Sequence, residues 1–165
     1  FGLTSNYDFR CKDLAGFVKH QKVWMTTGDD KLVSLSIPSS FNTGAPAVEA
    51  IMPIILRGRP LYCVNELEYR HASDTIYGNV WPTNYIVEID YRSGACLSVW
   101  DLGMLSKSQL GDVDVLNGIA CHPSKEECII TGKFWRRLHY VTFSKHERLA
   151  VVDEGGAYEL PTFRR

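Results

Sequence analysis

At 165 residues, with 45% of them hydrophobic, the chain has length for a sizeable core and the composition of an ordinary globular protein. A formal net charge of −1 without any basic block gives no electrostatic footprint for nucleic acid, and the small basic spots at Arg57-Gly58-Arg59 and at Lys133 with Arg136-Arg137 read as solvated surface. The longest apolar run, Ala45 to Leu56, is broken by Pro46, Glu49 and Pro53 and falls short of the ~20 residues of a membrane span, so none is expected.

In chain order the sequence reads as short strands and turns grouped into three units. The first runs from Phe1 to about Leu56. It opens on Phe1-Gly2-Leu3-Thr4, passes through an insertion-like stretch of mixed charge from Asn6 to Gln21, and continues with strands at Val23 to Thr26 and Leu32 to Ile37. The stretch Pro38 to Pro46 is rich in Ser, Gly and Pro and reads as a surface loop. The second unit, about Val64 to Leu105, has β-rich runs at Asn65 to Glu68, Ile76 to Trp81 and Tyr85 to Asp90. Turn signals separate them at His71 to Asp74, Pro82-Thr83-Asn84 and Arg92-Ser93-Gly94. Met104 to Leu110 is a helix candidate, short and poorly capped. The third unit, about Val113 to Asp153, repeats the pattern at Asn117 to Ala120, Ile129 to Lys133 and Leu138 to Phe143. The polar, Gly-rich tail 154–165 lies outside the expected core.

The three units repeat at about 53 residues, and aligning Leu35, Ile89 and Val141 gives steps of 54 and 52. Self-similarity on this scale, with several short strands per unit and hardly any helix, predicts an all-β β-propeller of four-stranded blades. Propellers close their ring with roughly 4–8 blades, and this chain has about three. The sequence is therefore expected to be part of a longer protein, entering mid-repeat, with the missing blades upstream or on another chain.

The innermost strand of each blade lines a central channel, so equivalent positions of successive repeats converge on one mouth. The starts of the inner strands carry Phe1, Asn65 and Asn117; the ends of the second strands carry Gly28, Trp81 and Lys133. An amide, an indole N–H and an ammonium beside aromatic walls make a candidate binding site. Each has a plainer reading alone: Asn65 as a turn residue, Trp81 as core, Lys133 as solvated surface. Asn117-Gly118 reads as a tight turn and is assigned a structural role. Glu66 and Glu68 share one strand face by two-residue alternation, which makes a paired-carboxylate site conceivable; Asp112 and Asp114 read as loop caps. Among five cysteines there is no CxxC and no paired His spacing, so no metal site is expected. Cys121 and Cys128 flank a predicted hairpin. They either face each other across its strands or stay as two buried thiols, and the odd count leaves at least one cysteine unpaired within the chain.

Four segments, Val64-Asn65-Glu66-Leu67-Glu68-Tyr69, Ile76-Tyr77-Gly78-Asn79-Val80-Trp81, Asp112-Val113-Asp114-Val115-Leu116-Asn117-Gly118-Ile119-Ala120 and Ile130-Thr131-Gly132-Lys133-Phe134-Trp135, resemble in order and spacing the plant and bacterial type of glutaminyl cyclase (glutamine cyclotransferase). The resemblance implies a five-bladed propeller and an aminoacyltransferase with no cofactor. Its substrate is a peptide or protein whose N-terminal glutamine becomes pyroglutamate with release of ammonia. It implies substrate binding by Asn65 and Trp81, a catalytic role for Lys133 in polarising the reacting amide, and Phe1 where the family places a pocket-wall tryptophan. It also places the proton-shuttling Glu in an upstream blade, so this chain alone is expected to be inactive, and it implies a secretory or extracellular setting. The alternative is a non-catalytic propeller that only binds a partner, since fold does not fix function. Tryptophan-aspartate repeat scaffolds fit poorly: the period exceeds ~40–45 residues and no Gly-His…Trp-Asp signature recurs.

Overall fold

The computed structural model describes residues 15–19, 22–36 and 46–143. Its first sheet is formed by β1 (Ala15–Lys19), β2 (Lys22–Thr26), β3 (Lys31–Ser36) and β4 (Ala47–Pro53), in the order β1-β2-β3-β4. A small hairpin, β5 (Ile55–Leu56) and β6 (Arg59–Pro60), leads to the second sheet: β7 (Val64–Arg70), β8 (Thr75–Val80), β9 (Tyr85–Ile89) and β10 (Cys96–Asp101). These too pair antiparallel with their sequence neighbours. Helix α1 (Gly103–Lys107) precedes β11 (Leu116–Cys121), β12 (Glu127–Gly132) and β13 (His139–Thr142), which form a three-stranded sheet within the described residues. Strands β1 and β11 both pack beside β7, so the first strand of each sheet sits at the interior, as in a propeller.

Strand β8 shows why these sequences make blades. It is buried along its whole length, because a middle strand is covered on both faces by neighbouring sheets. Its alternation splits the core in two. Ile76 and Val80 join Trp24, Leu32, Val64, Leu67 and Ile89 on the side of the first sheet. Tyr77 joins Ile86, Trp100, Leu116, Cys128 and Ile130 on the side of the third. Gly78 lies between them on β8. A Cβ there would meet Val64 Cγ1 at 2.6 Å, so the close approach of β7 and β8 needs its bare backbone.

One rung of the sequence alignment can be followed through all three sheets. Leu35 pairs with Val23, Ile89 with Ile76 and Val141 with Cys128, the same rung of each sheet. The same alignment makes Leu32, Ile86 and Leu138 equivalent. Leu32 and Ile86 are 0% exposed beneath the following sheet, whereas Leu138 is 63% exposed and no described residue covers it. The turns at 71–74, 82–84 and 92–94 fall where Gly, Pro, Asn and Asp predicted them.

Two readings are corrected. The strand that pairs with β2 begins at Ala15, inside the stretch expected to be an insertion; the expected inner-strand start at Phe1 lies outside the described residues, as does the 154–165 tail. Asn117-Gly118 is not a turn but lies within β11. A Cβ at Gly118 would meet Thr131 Cγ2 at 2.6 Å, so this glycine answers to packing against β12. The open question over Cys121 and Cys128 is answered too: they pair across β11 and β12 and are joined by a disulfide. Cys63 is also disulfide-bonded, and Cys96 is the free cysteine among the described residues.

Candidate functional site

The start of β7 and the end of β8 form one rim of the second sheet, and β11 and β12 repeat that rim in the third. Trp81 donates its backbone N–H to Cys63 O at 2.9 Å, and Lys133 donates its own to Val115 O at 3.3 Å. These bonds are equivalent in the repeat, so Trp81 and Lys133 occupy one level of successive sheets, each just past its second strand. Gly28 joins the same rim from the first sheet, its carbonyl accepting the Cys63 N–H at 3.2 Å.

One level inward lie the amides. Asn65 sits opposite Asn79 across β7 and β8, and Ala15 sits opposite Thr26 in the first sheet. Asn65 is 4% exposed and donates from Nδ2 to Asn117 Oδ1 at 3.0 Å. The two residues are 52 apart in sequence, which is the repeat itself, so equivalent positions of adjacent inner strands meet side chain to side chain. Asn117 in turn donates from Nδ2 to Glu66 Oε1 at 3.5 Å. Asn79 is fully buried, and neither end of its amide has a hydrogen-bond partner.

Strand alternation predicted Glu66 and Glu68 on one face, and both do reach β11, but at opposite ends of it. Glu66 bonds Asn117, whereas Glu68 Oε1 accepts the backbone N–H of Cys121 at 2.7 Å. That separation does not support a carboxylate pair sharing one substrate. Burial pushes the Glu68 carboxyl above its usual value, partly countered by the Cys121 N–H and by His71 and Arg70. A carboxyl whose folded-state pKa is raised binds more protons in the folded protein than in the unfolded one. Its contribution to stability is present below the ordinary value of 4.5 and is lost as pH rises through the folded value. Glu68→Gln, which can still accept from Cys121, should therefore match the wild type below that value and gain in Tm relative to it as pH climbs to neutral. A difference that shrinks with rising pH would contradict this assignment.

The segment after Lys133 is held from below. Gln109 Oε1 accepts the backbone N–H groups of Arg136 and Arg137 at 3.2 and 3.3 Å, and its Nε2 lies 2.6 Å from His139 Nε2. Trp135 donates its indole N–H to Asp114 O at 2.8 Å and lies over Gly132. Sequence reading did not find Gln109, which lies two residues beyond a short helix and has no signature of its own. Among the described residues no group of His, Cys, Asp or Glu is placed to hold a metal ion, and no helix is long and apolar enough to cross a membrane.

The sequence pattern described as glutamine cyclotransferase matches residues 16–143, which includes both rims. The chain belongs to the glutamine cyclotransferase family. A glutaminyl-peptide cyclotransferase of Arabidopsis thaliana is 35% identical over 88 residues, covering 51% of this chain and 27% of that protein. The crystal structure of Myxococcus xanthus glutaminyl cyclase superposes with a TM-score of 0.65 at 28% identity, over 79% of this chain and 56% of that one. The β-propeller domain of Myceliophteria thermophila Cps50 (Swd1) is similar with a TM-score of 0.51 at 9% identity, over 80% of this chain and 40% of that one, a likeness of fold alone. This member of the family is thus an all-β propeller chain that spans little more than half of its solved relative and about a quarter of its curated one.

Proposed function

We propose that the protein carrying this chain cyclises the N-terminal glutamine of peptides or proteins to pyroglutamate, with Asn65 and Trp81 binding substrate and Lys133 acting catalytically. In this reaction the neutral α-amine attacks the γ-amide carbon of its own residue. A new C–N bond forms as the carbonyl electrons move to oxygen; a proton lost from the attacking nitrogen is replaced by one delivered to the amide nitrogen, and as the carbonyl re-forms the old C–N bond breaks and ammonia leaves. The atoms are all in one residue, so the protein's work is to hold the chain folded back on itself, to stabilise the oxyanion and to move protons.

The observation that carries this reading is the Asn65–Asn117 hydrogen bond between equivalent positions of adjacent inner strands. It brings the start of β7 beside the start of β11, where the rims bearing Trp81 and Lys133 also end. An indole wall and an ammonium at one level, with amides one level inward, suit a small substrate that carries an amine, an amide and a carbonyl. Leu138, exposed where Leu32 and Ile86 are covered, fits a further blade on that side. Such a blade, upstream in the chain or on another chain, is where the family resemblance puts the proton-shuttling Glu. The disulfide-bonded Cys63, Cys121 and Cys128 fit an oxidising, secretory setting.

The test is ammonia release from a peptide with N-terminal glutamine, measured on the intact parent protein and on the 165-residue chain alone. The intact protein should release ammonia and leave a blocked N-terminus, and the chain alone should not. Activity in the chain alone would shift proton transfer to a carboxylate within it. A folded but inactive parent would overturn the reading in favour of a propeller that only binds.

A further inference from the structure

Glu66 departs from the geometry of its own strand. Its backbone is left-handed, with φ 49°, a conformation side chains other than glycine rarely adopt. The β7–β8 register shifts between Asn65 and Glu68, so a bulge re-aims the carboxylate. Such strain persists where surrounding structure fixes it, and it concentrates at functional sites.

The re-aimed carboxylate ends a directional chain of hydrogen bonds. Glu66 Oε1 accepts from Asn117 Nδ2, and Asn117 Oδ1 accepts from Asn65 Nδ2. The two ends of an asparagine amide have nearly the same shape, so shape alone does not decide which end faces a neighbour. A carboxylate offers only acceptors. Asn117 can meet Glu66 only with its NH₂, which leaves its oxygen for Asn65, and Asn65 can meet that oxygen only with its own NH₂. The charge on Glu66 thereby sets the orientation of an amide it does not touch.

We infer that Glu66 is a positioning residue which, through Asn117, fixes the orientation of the Asn65 amide, with its nitrogen turned toward Asn117 and its oxygen turned away from it. The inference rests on the substrate-binding role proposed above for Asn65. It assigns Glu66 no proton transfer and no contact with substrate.

The test uses the intact protein and three variants: Glu66→Gln, Asn117→Asp and the two combined. Glu66→Gln keeps the shape but offers both a donor and an acceptor, so the polarity is lost. KM for a glutaminyl peptide should rise about tenfold, as for one hydrogen bond misdirected, with kcat within about twofold. In the double variant a carboxylate at 117 orients Asn65 directly, and KM should return to within about threefold of wild type. A residue needed only to shape the bulge would show no such rescue. Unchanged KM in Glu66→Gln, or no recovery in the double variant, would overturn the relay; so would a collapse of kcat at constant KM, which would instead make Glu66 a proton-transfer group. Should Glu66→Gln fail to fold, the KM of the double variant alone decides. Side-chain amide NMR of Asn65 gives a readout independent of turnover: its NH₂ resonances should move in Glu66→Gln and return in the double variant. If the wild type releases no ammonia, the proposed function fails, and those resonances still decide for or against the relay.

Discussion

Replacing Lys133 with alanine in the intact protein should lower turnover of an N-terminal glutaminyl peptide by about 10²–10³-fold, the loss typical of one oxyanion donor. The side chain is half-buried at the end of the second strand of its sheet, at the level of Trp81 one blade earlier. An ammonium there can meet charge that develops on the γ-carbonyl oxygen only as the ring closes, so the loss should fall on kcat more than on KM. The backbone should not notice the change. Lys133 is held by its N–H to Val115 O and by its O accepting from the Asp114 N–H at 3.1 Å, and Trp135 ties the next turn to Asp114. A Tm close to wild type is therefore expected beside the kinetic loss. Turnover within about threefold of wild type would remove Lys133 from the chemistry, and a large fall in Tm would show that its side chain is structural instead.

The same rim shows what one sequence can and cannot disclose. The rung of Leu35, Ile89 and Val141 was legible because each is an apolar position in a short strand preceded by a turn, and such spacing survives divergence between repeats. Asn65 and Asn117 were legible as equivalent positions for the same reason. Their meeting was not, because it depends on how adjacent sheets pack. Local chemistry misled at Asn117-Gly118: the pair is a strong turn signal by itself, yet the glycine is required by Thr131 on the neighbouring strand. Strand β1 was missed because it is short and lies in a stretch of mixed charge, with its pattern too brief to outweigh its surroundings. The bulge at Glu66 leaves no local trace at all, since glutamate has no preference for positive φ and takes it here within contacts to another blade.

Arg70 should be the most stability-sensitive polar residue of the junction between the second and third sheets. Its side chain is 2% exposed, it donates from Nη1 to Lys125 O at 3.1 Å, and its Nη2 is ion-paired with Glu126 in the β11–β12 turn. Its guanidinium also lies 5.7 Å from the centre of the Tyr77 ring. Arg70→Ala empties a buried space and cuts both links between sheets, and a loss of about 3 kcal/mol is expected, in the range of large-to-small core changes. Glu126→Ala should cost less, about 1 kcal/mol, even though it leaves a buried cation. The carboxylate is 62% exposed, so water can reach the guanidinium in its place, and the several-kcal/mol penalty of a fully enclosed broken pair does not apply. Arg70→Met separates charge from volume: it restores most of the packing without an ion to desolvate, so it should recover most of what alanine loses. Urea unfolding of the intact protein measures all three, provided the slope of the transition stays constant. If Arg70→Met proves as damaging as Arg70→Ala, the hydrogen bonds of the guanidinium hold the junction together; if the order predicted here is found, the filled volume does.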